Sequence, residues 1–219
     1  MTGCARLGEA AYESARKPTV WVPLIGAGLV QFDDMDEKLS KWGRRENPIF
    51  NNQENADDWS DDLQSLTWDT SQLTLLLVDE PWGERVGDWA VMVVSRETTS
   101  TITRKIKNTA ERDRPLDQND ESFPSGHTSR TAMAATFGKA NLRRAGHGRW
   151  APVYDVAAVM TGWARVEAGK HYPSDVMVGW SIGNFIGNTA VLAFFEDPTI
   201  SVDAEVSEDR LYFGMYKSF

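Results

Sequence analysis

Apolar positions recur at helical spacing along most of this chain. Leu63, Leu66, Leu73, Leu76 and Leu77 line one face of residues 63–78, and Pro81-Trp82-Gly83 interrupts the pattern. Residues 85–110 keep the same period. Val91 to Val94 and the threonine-rich Thr98 to Thr103 have some strand character, but a helix would place Lys107 on its last turns. Residues 111–124 read as a charged, proline-bounded loop. Residues 125–141 read as an alanine-rich helix opening at Ser125. Residues 151–168 and 173–195 read as two further helices, with Pro173 suited to a first turn. Residues 19–46 begin apolar and end amphipathic. The acidic run Asn51 to Asp62 is expected to be a surface loop feeding the next helix. Residues 1–18 are small and polar, as in an N-terminal tether or arm. Arg210 to Phe219 alternates with a period near two, which predicts a short terminal strand. The pattern predicts an all-α, single-domain helical bundle over residues 19–219.

Composition narrows this picture. The 219 residues suit one domain, and 41% apolar residues supply a sizeable core. The most apolar run, Val178 to Phe195, carries Asn184, Asn188 and several glycines and falls short of the ~20 residues of a membrane span. The whole chain has a mean hydropathy of −0.43, and the run reads as a buried helix instead. Gly179, Gly183 and Gly187, spaced by four, suit close contact with another helix.

The net charge is −9 and no basic stripe is present, which argues against nucleic-acid binding. A chain of this sign that handles phosphate must gather its positive charge locally. Cys4 is the sole cysteine, which excludes an intrachain disulfide and a thiolate metal cluster. Gly3-Cys4 resembles the end of a bacterial lipoprotein signal that lacks its charged and apolar parts. Cys4 is therefore a candidate lipid anchor, weighed against a chance cysteine at a frayed terminus.

Three short segments concentrate reactive chemistry. They are Lys107 to Pro115, Pro124-Ser125-Gly126-His127, and Arg165 to Asp175. Lys107 and Arg114 flank a helix end and can reach one anion. Arg165 adds a guanidinium suited to bidentate contact with phosphate oxygens. Ser125 and Gly126 open a helix, where free N–H groups favour an anion. His127 follows in that first turn, placed to protonate a leaving group. His171 precedes Pro173, and Asp175 lies four residues on. A carboxylate there can hydrogen-bond one imidazole nitrogen and leave the other to attack. With fixed cations balancing the transition-state charge, no metal and no organic cofactor is expected. Arg112 and Arg130 are read as solvated or structural, Tyr172 and Trp163 as packing residues, and His147 as a surface residue.

These segments match K-x6-R-P, P-S-G-H and S-R-x5-H-x3-D, the signature of the type 2 phosphatidic acid phosphatase superfamily, which the chain resembles across residues 107–175. That superfamily takes in membrane lipid phosphatases, bacterial class A acid phosphatases and vanadium haloperoxidases. One position departs from it: Ala164 stands where serine is usual. The resemblance implies an all-α bundle and a phosphatase of monoesters or diphosphates, lipid or isoprenoid phosphates among them. It implies phosphate binding by Lys107, Arg114, Arg165, Ser125 and Gly126. His171 would form a phosphohistidine, Asp175 would hold it, and His127 would be the general acid. Vanadate would inhibit. The partner is a phosphorylated small molecule or lipid. Together with Cys4, family habit points to an exported, periplasmic or lipid-anchored enzyme with peripheral membrane association. The competing readings are a vanadate-dependent haloperoxidase and a non-catalytic phosphate-binding protein.

Overall fold

The computed structural model describes residues 3–116, 119–195, 200–207 and 210–217. Its described helices are α1 (Gly3–Arg16), α2 (Pro18–Leu29), α3 (Met35–Glu46), α4 (Gln53–Leu73), α5 (Trp82–Ala110), α6 (Gly126–Arg144), α7 (Pro152–Glu167) and α8 (Pro173–Ala190). A π-helical turn, Val191–Phe195, extends α8. Strands β1 (Ile200–Ser207) and β2 (Arg210–Lys217) form an antiparallel hairpin in which Ile200 pairs with Lys217 and Ser207 with Arg210. The expected terminal strand corresponds to β2, and Phe219 lies outside the described residues.

Helix α6 is the central member and touches α4, α5, α7 and α8. Its sequence explains why. From Thr128 to Leu142 every residue but Arg130 is buried, and the run is made largely of alanine, threonine, serine and glycine. Small side chains let several helices approach one axis. The single buried cation in that run, Lys139, is paired with Asp155 at 2.5 Å. The main apolar cluster forms where Leu75, Met92, Met133, Phe137, Val191 and Phe195 meet.

Helix α8 packs directly on α6 through its glycines. A Cβ on Gly183 would fall 2.1 Å from the carbonyl oxygen of Ser129, and one on Gly179 2.5 Å from that of Ser125. This is close backbone approach, as the four-residue glycine spacing suggested. It brings the first turns of the two helices together. Residues Pro173–Phe195 are long and apolar enough to cross a membrane, yet 56% of the apolar window is buried inside the fold.

Two expectations are corrected. Residues 3–18 are not a loose arm: α1 packs on α8, with Ala10 and Ser14 buried and the Ser14 hydroxyl donating to the Phe185 carbonyl at 2.8 Å. The Cys4 side chain lies outside the described ones, so the structure does not bear on its role as a lipid anchor. The acidic run 51–62 is not a loop either. Asn52 caps α4 by accepting from the Asn55 N–H at 2.8 Å, and the helix runs through the acidic residues. Its inner face is Ala56, Ser60, Thr67 and Ser71, small and mostly polar, so the run lacks the apolar stripe that marks a helix in sequence.

Candidate active site

The site is built from helix ends. Helix α7 stops in a Schellman turn: Gly169, at φ 68°, donates to Val166, and Lys170 donates to Arg165. Glycine suits that left-handed position. The turn sends the chain back so that His171 follows Arg165 closely, and Pro173 then starts α8. The N–H of Ser125 donates to the carbonyl of Asp175 at 3.0 Å, which ties the start of α6 to the first turn of α8. Ser125 is the N-cap of α6, and its hydroxyl accepts from the Thr128 N–H at 3.4 Å. Lys107 lies in the last turn of α5, and Arg114 in the loop after it.

The cations converge. His171 has its basicity pushed well down by burial and by the charges of Arg165, Lys107 and Arg114. Burial pushes His127 down to about 4, helped by Arg165 and Arg130 and opposed by Asp61. Arg165 thus acts on both imidazoles. Lys107 is lowered to about 8, by burial first and then by Arg114. The Nε atoms of Arg114 and Arg165 are buried and have no hydrogen-bond partner among the described residues. Buried guanidinium donors left unpaired beside a neutral imidazole have the chemistry to hold an anion.

His171 is 2% exposed. Its Nδ1 lies 2.5 Å from the Ser122 carbonyl oxygen. A carbonyl only accepts, so Nδ1 carries the proton and Nε2 of the neutral ring keeps its lone pair. Here the structure departs from the expected Asp175–His171 hydrogen bond. The Asp175 carboxylate is 3.9 Å from Nδ1, too long for one. Asp175 instead accepts from Arg112 at 2.6 Å, from the Ser122 hydroxyl at 2.6 Å and from the Tyr172 N–H at 2.8 Å. Burial raises its pKa.

Helix α4 supplies residues that motif reading missed. Asp61 bonds His127 Nε2 at 2.6 Å, and Asp57 pairs with Arg165 and, at 3.2 Å, with Lys170. Gln64, on the same face, accepts from Arg130 Nε at 2.9 Å. The i, i+4 spacing of Asp57 and Asp61 was a usable signal, hidden by reading their segment as a loop. Arg112 is not a solvated residue, since it bridges Asp36 and Asp175. Lys107 donates to the Glu121 carbonyl. Ala164, where serine was expected, is fully buried in a cluster with Phe50, Ala56 and Ala168, an apolar setting that a methyl side chain suits. His147 is exposed. Among the described residues no group of three or more His, Cys, Asp or Glu side chains could hold a metal ion.

Known proteins share sequence and fold with this chain. The chain is 31% identical over 126 residues to a lipid A 1-phosphatase of Porphyromonas gingivalis, covering 52% of this chain and 27% of that protein. It is 35% identical over 74 residues to the lipid A 1-phosphatase of Rhizobium johnstonii, covering 34% and 28%. The matches span less than a third of either relative's length. The fold resembles the crystal structure of a transmembrane PAP2 type phosphatidylglycerolphosphate phosphatase from Bacillus subtilis, with a TM-score of 0.56 and 23% identity over 77% of this chain and 90% of that one. The model of the PAP2 superfamily matches residues 89–198, a stretch that holds all three signature segments and both imidazoles, and the chain belongs to that superfamily.

Proposed function

We propose that the chain is a phosphatase of lipid-borne phosphate monoesters or diphosphates, working through a phosphohistidine on His171 and without a metal. The observation that carries this reading is the pair of buried Nε donors of Arg114 and Arg165, without a partner among the described residues, beside an imidazole fixed with Nε2 unprotonated. In the first step Nε2 attacks phosphorus in line and the bond to the leaving oxygen breaks. His127 gives that oxygen its proton. In the second step His127 takes a proton from water, the oxygen attacks phosphorus, the P–N bond breaks and inorganic phosphate leaves. Lys107, Arg114 and Arg165 stabilise the charge on the equatorial oxygens throughout. Gly126 adds an N–H group at the start of α6, where the Ser125 N–H is already given to the Asp175 carbonyl.

A lipid substrate is supported by more than the relatives' names. An apolar cavity of about 460 Å³ lies between α2, α3, α7 and α8. Val166 and Pro173 line it and adjoin Arg165 and Tyr172 in the chain. Along α2, Trp21, Leu24, Ile25 and Leu29 are exposed. These features suit an enzyme working at a lipid surface on a substrate with an apolar chain. An exported or periplasmic location, with a lipid on Cys4, fits the same reading.

The test is phosphate release in the presence of a chelator from lipid A, phosphatidylglycerolphosphate, phosphatidate, a prenyl diphosphate and a soluble aryl phosphate. Turnover should survive chelation, prefer the lipids and be blocked by vanadate. Radiolabel from the substrate should be trapped on His171 as an acid-labile, base-stable adduct. Turnover that requires added metal, or no adduct in a rapidly quenched reaction, would overturn the mechanism. Halide oxidation with added vanadate and peroxide, without phosphate release, would favour the haloperoxidase reading.

A further inference from the structure

The direct support of His171 is a peptide carbonyl, which raises the question of what holds that peptide. Ser122 is fully buried. Its N–H donates to the Arg112 carbonyl at 2.9 Å, and its hydroxyl donates to Asp175 Oδ2 at 2.6 Å. Asp175 in turn is held by Arg112 Nη1, which also donates to the Ser174 hydroxyl at 2.8 Å. Arg112 therefore grips the Ser122 peptide with its backbone and grips Asp175 with its side chain. Its guanidinium lies over the Tyr172 ring, 4.1 Å from the centroid. Its other terminal nitrogen donates to Asp36 Oδ2 at 2.8 Å.

Asp36 comes from α3, outside the segment the superfamily model matches, and is 3% exposed. It accepts from the Ser174 N–H at 2.8 Å, from the Ser174 hydroxyl and from Gln31 Nε2 at 3.1 Å. Two buried carboxylates on different elements are thus joined by one guanidinium, whose planar fork can serve both at once.

We infer that Arg112, Asp36 and Ser122 are positioning residues for His171. Together they hold the Ser122 carbonyl against Nδ1–H, and Asp175 acts on the nucleophile through Ser122 and not by direct contact. The inference rests on the phosphohistidine reading for its kinetic consequence, while its structural content concerns the tautomer of His171. Removing the outer hydrogen-bond partner of a metal-bound histidine costs about 10- to 100-fold, and by analogy a loss of that size in kcat is expected here. KM should change little, because none of the three residues belongs to the phosphate cradle.

The experiment uses the full chain with 15N-labelled histidine. The variants are Ser122→Ala, which keeps the carbonyl and cuts its link to Asp175, Asp36→Asn, and Arg112→Lys. Nitrogen shifts and the Nδ1–H resonance report the His171 tautomer, and kcat and KM are measured alongside. Wild type should show the Nδ1–H form. Ser122→Ala and Asp36→Asn should lower kcat by about 10- to 100-fold and leave KM nearly unchanged, with a mixture of tautomers. Arg112→Lys should not rescue, since an ammonium cannot span both carboxylates in that geometry. Should Arg112→Lys fail to fold, Ser122→Ala still decides. An Nε2–H tautomer in wild type, or unchanged tautomer and kcat in Ser122→Ala and Asp36→Asn, would overturn the inference. A chain that hydrolyses none of the esters, yet loses the Nδ1–H form in these variants, would remove the phosphatase reading and leave the positioning network standing.

Discussion

The two imidazoles whose basicity Arg165 lowers are held by opposite means. His171 is buried, and its partner is a peptide carbonyl locked by a network of buried groups reaching to Asp36. His127 has a side chain 21% exposed, and its partner, Asp61, is 66% exposed. A nucleophile must present one lone pair in one direction, so a rigid, uncharged acceptor suits it. A general acid must gain and lose a proton, and a carboxylate near solvent suits that better. Asp61 raises the basicity of an imidazole that burial and neighbouring cations would otherwise push down further. The α8 side of the site fixes geometry, and the α4 side tunes charge.

The sharpest break of this contrast is His171→Ala. Loss of the attacking group should lower kcat by about 10⁴-fold or more and abolish the trapped adduct, as seen by quenched labelling. His127→Ala should cost less, about 10²- to 10⁴-fold. The deficit should shrink for an aryl phosphate, whose leaving oxygen needs little protonation; equal deficits across leaving groups would remove His127 from the acid role.

Asp61→Asn should act more gently, about tenfold at neutral pH, one pKa unit in an acid's protonated fraction. The sign follows from the contact. Asp61 favours protonated His127, so its loss lowers the pKa of His127, and the limb where activity falls as pH rises should move to lower pH. A limb that stays in place would mean that Asp61 does not tune His127. Lys107 gives the smallest effect. Its pKa of about 8 means the free enzyme loses this charge as pH rises through 8, so KM should climb severalfold above that pH. Bound phosphate favours the ammonium, so kcat should hold. Lys107→Arg should remove the climb in KM, because arginine stays charged.

The reactive groups were legible in the sequence because each signature segment is local. Lys107 and Arg114, or Arg165 and His171, are linked by a few residues, and helix geometry keeps them at neighbouring helix ends. Helices α5 to α8 were legible for a related reason: their apolar residues recur at the helical period. The first half of α4, residues 53–62, was obscured because its buried positions, Ala56 and Ser60, lie within a run of acids. With that helix went Asp57 and Asp61, whose partners lie 108 and 66 residues away.

What the chain alone determined is the chemistry on offer: two imidazoles, three cations, an oxyanion-friendly helix start and a bundle to carry them. Tertiary structure decided the partners. Spacing four residues apart suggested that Asp175 holds His171, but the folded chain interposes Ser122 and bonds the ring to its carbonyl. Every residue has a carbonyl, so no side-chain pattern marks the one that will face an imidazole. That choice follows from where Arg112 and Ser122 settle against α8 and α3, and packing over long sequence separations sets it.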